Sequence, residues 1–348
     1  MPLYVTDEGQ SVSTQSMLKT FRRCPKQAEY KYVRRLKPRL LGKPLSRGTW
    51  LHYLLEAHHG GGDWKAVHQQ LTNKFNDMFD EERDYYGDMP TECYNLMLGY
   101  IWHYKDDPWK VLETEFVLET ELPDGTIFRA RVDAMVETIF GIYLVDHKSH
   151  KTLPDHNFRL LDGQSALYVW AALRNRLPIE GFIWNYIRTK APSIPERTLA
   201  GRRSRRKMDT DWQTYTRTLR KWQLDGYKVT KDDIEFGNRL KSYRYKPGEP
   251  QLSSFFRRDV LEKQPDMLRR VALENYRTSR RMHDYDFSDP DRVERVVDRS
   301  CAFSCSYTDL CITELMGGNP RPLIRNNYTE GDPLDYYNDN DTPYSREQ

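Results

Sequence analysis

The stretch Asp133-Ala-Met-Val-Glu-Thr-Ile-Phe-Gly141-Ile-Tyr-Leu-Val-Asp146-His-Lys148 decides how this chain folds. Residues 131–137 and 142–148 are short apolar runs on either side of a turn ending in Gly141, the sequence form of a β-hairpin. A hairpin folding about Ile139 and Phe140 sets Asp133 opposite Asp146, with two carboxylates side by side. Such a pair repels itself unless a cation lies between the groups, and hard oxygen ligands on a rigid hairpin suit Mg²⁺ or Mn²⁺. Lys148, two residues after Asp146, points to the same face of its strand. Acid, acid and ammonium then converge where a phosphodiester can be polarised and its developing charge stabilised. A solvated strand end is the alternative, and an Asp…Asp-X-Lys spacing alone arises by chance in many proteins.

Upstream, alternation through residues 111–122 breaks at Pro123-Asp-Gly125 and resumes to 137, so the hairpin completes a three-stranded antiparallel meander. Glu115 on the first strand could add a carboxylate, but alternating Glu residues usually form a wet strand face, and that reading is taken here. Downstream, residues 149–159 read as a polar loop and 162–175 as a helix. Its Gln164 and Tyr168 are four apart and share a face. Packed on the sheet they would stand over bound substrate; otherwise Tyr168 fills core and Gln164 caps a turn. Residues 182–189 predict a further strand of the same sheet.

Toward the N-terminus, Ser13 or Thr14 can cap a helix that carries Met17, Leu18 and Phe21 and leads to Cys24-Pro25. A second helix carries Gly48-X-X-X-His52-X-X-X-Glu56, with His52 and Glu56 on one face. Taken alone, His52 reads as an ordinary satisfied histidine, and His58 and His59 beside three glycines as a helix end. Residues 63–107 read as two amphipathic helices, the second holding Cys93 as a packed or surface thiol. Near the other end, Cys301, Cys305 and Cys311 offer three thiolates to one metal centre, which wants a fourth ligand. Spacing leaves zinc and iron–sulfur both open, and a lone early cysteine such as Cys24 is ordinarily a buried small hydrophobe.

Taken together, Asp133, Val145-Asp146-His147-Lys148, Gln164-X-X-X-Tyr168, the Gly48–His52 spacing and the four cysteines resemble the PD-(D/E)XK nucleases of the RecB-like exonuclease branch. Within it the pattern is most similar to CRISPR-associated and phage-encoded stand-alone exonucleases. The resemblance implies an α/β fold: a mixed central sheet flanked by helices, with N- and C-terminal segments joined at a four-cysteine cluster. It implies His52, Asp133, Asp146 and the His147 backbone carbonyl as ligands of Mg²⁺ or Mn²⁺, and Lys148 as the catalytic amine. Gln164 and Tyr168 become positioners of phosphate or base. Cys24, Cys301, Cys305 and Cys311 become ligands of a 4Fe–4S cluster acting as a clasp, with zinc the alternative occupant. The implied activity is hydrolysis of DNA from single-stranded or frayed ends. Its competitor is a DNA-end-binding or processing subunit that acts only with a helicase, recombination or CRISPR integration partner. A redox role has no flavin or nicotinamide motif behind it.

Composition bounds these readings. At 348 residues the chain can bury a sizeable core, divided as 1–110 (helical, first cysteine and His motif), 111–190 (nuclease core), 191–300 (basic loop and helices), 301–316 (cysteine segment) and 317–348 (polar, read as disordered). A net charge of +3 with 30% charged residues means that DNA affinity must come from local patches. The densest patch is the loop with Arg202, Arg203, Arg205, Arg206 and Lys207. A smaller one is Phe255-Phe256-Arg257-Arg258, aromatic beside basic and suited to single strands. Five cysteines, an odd number, suit a reducing compartment. No apolar run reaches membrane-span length and no signal peptide opens the chain, so the expectation is a cytoplasmic protein, or one of the host cytoplasm if phage-encoded.

Overall fold

Residues 110–150 alternate around two turns, and they fold as the meander that this pattern predicts. In a computed structural model, which describes residues 3–6, 9–262 and 264–337, the strands run in chain order as follows. They are β1 (Val12–Thr14), β2 (Leu36–Pro38), β3 (Lys110–Glu121), β4 (Ile127–Thr138), β5 (Gly141–His150), β6 (Ile179–Arg188), β7 (Phe256–Glu262) and β8 (Tyr328–Glu330). Strands β3, β4 and β5 pair antiparallel. Gly141 closes the second turn at φ 123°, a backbone that a residue with a Cβ adopts only under strain. β6 joins β5 in parallel and β7 joins β6 antiparallel, while β1 lies parallel to β4. The result is a mixed six-stranded sheet, with β2 and β8 paired separately.

One edge of β4 is shared. Residues 127–129 pair with β1 and residues 134–138 with β5, so 130–133 on that edge belong to neither ladder. The sheet forks there, and Asp133 sits at the fork.

Helices cover both faces. The Gly163–Arg174 helix packs on β3, β4 and β6 beneath the Gln15–Arg23 and Pro265–Asp284 helices. Met17, Leu18, Ala166, Phe182 and Trp184 are buried together there. The Lys43–His59 helix packs against β3, β4 and β5, backed by Trp64–Asn76 and Met89–His103. Trp50, Leu54, Met97 and Tyr100 form that second core. Each such apolar side chain contributes about 1.5–3 kcal/mol on burial. Among the described residues no helix is long and apolar enough to cross a membrane.

Three expectations change. The region 63–107 holds three helices, Trp64–Asn76, Asp80–Tyr86 and Met89–His103, because Gly87 at φ 65° and the proline after Met89 restart the chain. Phe255 and Phe256 are buried at the start of β7 rather than displayed on a loop. The polar segment from 317 is not structureless as far as 337. It forms the Arg321–Asn327 helix and β8, then a turn at Asp335–Tyr337 that buries Leu334. Residues 338–348, read with it as disordered, lie outside the described residues.

Candidate active site

The hairpin register places the carboxylates. Ala134 pairs with Val145, and one step further Asp133 faces Asp146, both more than nine-tenths buried. The His147 amide donates to Asp133 Oδ2 at 2.6 Å, crossing the fork. On the other side of β4, Thr114 pairs with Ala134 and Phe116 with Val132, which sets Glu115 across from Asp133. Three strands thus present Glu115, Asp133 and Asp146 in a row. Like charges opposite one another destabilise a sheet, so the row calls for compensating cations.

Several are built in. Lys148 Nζ lies 2.5 Å from Asp146 Oδ2, and Gln164 Nε2 donates to Asp146 Oδ1 at 2.6 Å. Gln164 reaches it because Asp162 caps the start of its helix over the sheet. Arg131 Nε holds Glu115 Oε2 at 2.6 Å. His52 Nδ1 stands 3.4 Å from Asp133 Oδ2. Its helix comes close because Gly48, one turn earlier, leaves room: a Cβ there would meet Ser149 Oγ at 3.3 Å. Tyr168 is buried behind Gln164 and lines the same cleft, of about 400 Å³, as Asp133, Asp146 and Lys148.

The protonation states follow from this crowding. Burial disfavours the His52 cation, yet Asp133 outweighs it and lifts the imidazole to about 9. Burial would raise Asp133, but His52 and then His147 and Lys148 hold it below the usual carboxylate range. Asp146 rises to about 6 because burial, with Asp133 beside it, exceeds the pull of Lys148. Glu115 rises to about 8 through burial and the Asp133 charge. Lys148 is raised: burial opposes its charge, and Asp146 and Asp133 overcome it. At neutral pH His52 and Glu115 therefore hold protons that a divalent cation would displace.

The donor set fits such a cation. One ligand atom each from His52, Glu115 and Asp133 lie within 4.8 Å of one another, and carboxylate oxygens with one imidazole nitrogen suit Mg²⁺ or Mn²⁺. Glu115 is the residue that the sequence reading set aside as part of a wet face. It is buried instead, at φ 51°, and a non-glycine residue in that region is a strained conformation typical of functional sites. The signal was present: the first turn, mirrored about Asp124, opposes Glu115 to Asp133 just as the second opposes Asp133 to Asp146.

Behind the hairpin the histidine side chain of the motif is structural. His147 is stacked on His59 with ring centroids 5.3 Å apart and meets Asn185 Nδ2 at 2.7 Å. Burial pushes it down to about 3, so it is neutral.

The two basic patches are placed away from this centre, and none of their residues lines the cleft. Arg258 corrects the sequence reading most. It is buried, paired with Asp107 at 2.6 Å and enclosed by the rings of Tyr104 and Trp109, so it cannot grip a phosphate. Arg257 pairs with Asp259 and donates to the Pro154 carbonyl. In the basic loop, Arg203 pairs with Asp233 and Arg205 with Asp232, which neutralises part of the patch. Arg202, Arg206 and Lys207 are exposed.

The cysteine segments meet through their neighbours. The Lys26 amide donates to the Glu294 carbonyl, and its buried ammonium reaches the Pro290 carbonyl, Glu29 and Glu314. Cys24, Cys301, Cys305 and Cys311 are free thiols, all partly exposed. Among the described residues no three of them gather within 4.8 Å, wider than the tetrahedral spacing that Zn–S bonds of about 2.3 Å impose. Cys93 is fully buried in the second core.

A family model described as the PD-(D/E)XK nuclease superfamily matches residues 12–312. No curated protein matches the chain.

Proposed function

The chain belongs to the PD-(D/E)XK nuclease superfamily, and from that premise we propose that it is a metal-dependent deoxyribonuclease that degrades DNA from single-stranded or frayed ends. The observation that carries this reading is the row Glu115, Asp133, Asp146 across three strands, with Lys148 against the last of them. Such a row is unfavourable in a protein with no cation to bind. His52, Glu115, Asp133 and Asp146, with the His147 carbonyl, would hold a divalent ion that would supply Lewis-acid stabilisation of phosphate charge and lower the pKa of water.

The protein's own groups do the rest. Lys148, pinned beside Asp146, orients the attacking water and offsets negative charge on the phosphate. Gln164 fixes the Asp146 carboxylate through a direct hydrogen bond, and Tyr168 supports Gln164 from below. The walls of the cleft come from the sheet, the Gln15–Arg23 helix and the turn at Asp335–Tyr337. For the four cysteines we propose a structural 4Fe–4S cluster.

End-labelled single- and double-stranded DNA incubated with Mg²⁺, Mn²⁺ or chelator tests the activity, with Asp133→Asn as control. Metal-dependent shortening by the wild type alone is expected; products unaffected by chelator or by the substitution would count against the reading. Brown colour with broad visible absorption distinguishes iron from zinc.

A further inference from the structure

The cleft that holds Asp133 and Asp146 has a second wall of opposite character. Lys19, from the Gln15–Arg23 helix, and Lys31, from the Glu29–Val33 turn, both line it. Among the described residues neither amine has a carboxylate within ion-pair distance, although lysine and arginine pairs are common elsewhere in the chain. Lys31 is partly buried, its ammonium lying over the Tyr32 ring at 5.0 Å from the centroid. Burial accordingly lowers its pKa, and an ammonium kept there without a counter-charge is unfavourable until an anion arrives. One further feature points the same way. The first turn of the Gln15–Arg23 helix contains no acidic residue and faces the cleft with Gln15 and Ser16, so the positive end of its dipole adds to the amines.

We propose that Lys19 and Lys31, with the start of the Gln15–Arg23 helix, form a phosphate subsite that holds the phosphate of the nucleotide next to the scissile bond. The proposal rests on the nuclease reading of the cleft and adds what the metal centre alone does not provide, a fixed register for the strand. Carboxylates at one end place the reacting phosphate and amines at the other its neighbour. The neighbour is either an internal diester or the monoester at a strand terminus. Both offer the oxygens that two ammonium groups and helix N–H groups bind.

The test is equilibrium binding to the full chain in chelator, where no cleavage occurs. Probes are internally labelled single-stranded oligonucleotides carrying a 5′-phosphate, a 3′-phosphate or neither. The Lys19→Ala/Lys31→Ala double variant should bind at least about tenfold more weakly, and its log affinity against log salt should flatten by roughly 1.4, about 0.7 for each lost contact. Lys31→Met, which keeps volume, should lose about half of the slope change, and Lys31→Arg should retain wild-type binding. If dephosphorylation weakens the wild type but not the double variant, the bound group is a terminal monoester; if it weakens neither, an internal diester. Wild-type affinity and slope in the double variant would overturn the subsite even in an active nuclease. Lysine-dependent binding by a protein that cuts nothing would leave the subsite standing and remove the nuclease reading. No binding by the wild type removes both.

Discussion

Glu115 stands directly across the β3–β4 ladder from Asp133, on a backbone at φ 51°. Both features are unfavourable in isolation: facing carboxylates repel, and a non-glycine residue in the left-handed region is strained by about 1–3 kcal/mol. Arg131 offsets part of this by its 2.6 Å contact. A divalent ion held by His52, Glu115 and Asp133, whose ligand atoms already lie close together, would offset the remainder.

Glu115→Gln therefore separates metal binding from folding. Glu115, raised to about 8, is mostly protonated at neutral pH in the metal-free protein, and an amide mimics that form. The amide oxygen keeps an acceptor for Arg131, so thermal unfolding without metal should change by no more than about 1–2 kcal/mol. The Mn²⁺ concentration for half-maximal cleavage should rise roughly tenfold or more. An unchanged metal requirement would remove Glu115 from the ligand set.

Metal affinity should depend on pH with a definite sign. His52 at about 9, Glu115 at about 8 and Asp146 at about 6 carry protons in the metal-free state that coordination must displace. Binding releases protons, so affinity increases from pH 6 to pH 9 and flattens above. Calorimetric Mn²⁺ titrations in two buffers of different ionisation enthalpy measure the release directly; proton uptake on binding would contradict the assignment.

Lys148→Ala should leave the sheet intact, because the Lys148 side chain is partly exposed, and reduce kcat by about a hundredfold or more. Substrate affinity should change far less. Removing the amine also takes away the partner that restrains Asp146, so that carboxyl should titrate higher than in the wild type. Activity within a fewfold of wild type would relieve Lys148 of its catalytic role.

The legible part of the molecule was local. Two turns and a period of two fix β3, β4 and β5, and the same arithmetic that aligned Asp133 with Asp146 aligns Glu115 with Asp133. Glu115 was set aside because Glu113, Glu115, Glu119 and Glu121 look alike along the strand, and only one faces the fork. Helix spacing put Gln164 and Tyr168 on one face but left open whether that face met the site, and in the structure Gln164 reaches Asp146. What failed depended on partners far along the chain. Nothing near Arg258 in sequence announces Asp107, Tyr104 and Trp109, and nothing in the polar composition after residue 317 announces that Tyr328–Glu330 pairs with Leu36–Pro38.

Arg258 tests that lesson. As a phosphate contact its loss would weaken DNA binding and leave stability alone. Buried and paired with Asp107, it should do the reverse. Arg258→Ala strands the Asp107 carboxylate and should cost about 3–5 kcal/mol in denaturant unfolding, with unchanged affinity per folded molecule. A stable variant with weakened DNA binding would restore the surface reading.

The joining of the chain ends has a polar component that can be separated from the proposed cluster. Lys26, almost fully buried, contacts Glu29 at 2.8 Å and Glu314 at 3.3 Å and donates to the Pro290 carbonyl. Arg34 and Tyr30 also converge on Glu314. This polar staple needs no cluster, so it should hold the N-terminal segment against residues 290–314 even when the sulfurs are empty. Lys26→Met removes the cation and leaves two acidic partners buried, at a cost of about 3–5 kcal/mol. Cys24→Ala in metal-free protein removes only a partly exposed thiol, for which about 0.5 kcal/mol is expected. In protein loaded with iron, Cys24→Ala should abolish visible absorption and lower the melting temperature, while Lys26→Met keeps the colour. The decisive comparison is in chelated protein: if Cys24→Ala then destabilises as much as Lys26→Met, the thiol itself belongs to the staple, and sulfur rather than the buried lysine joins the two ends.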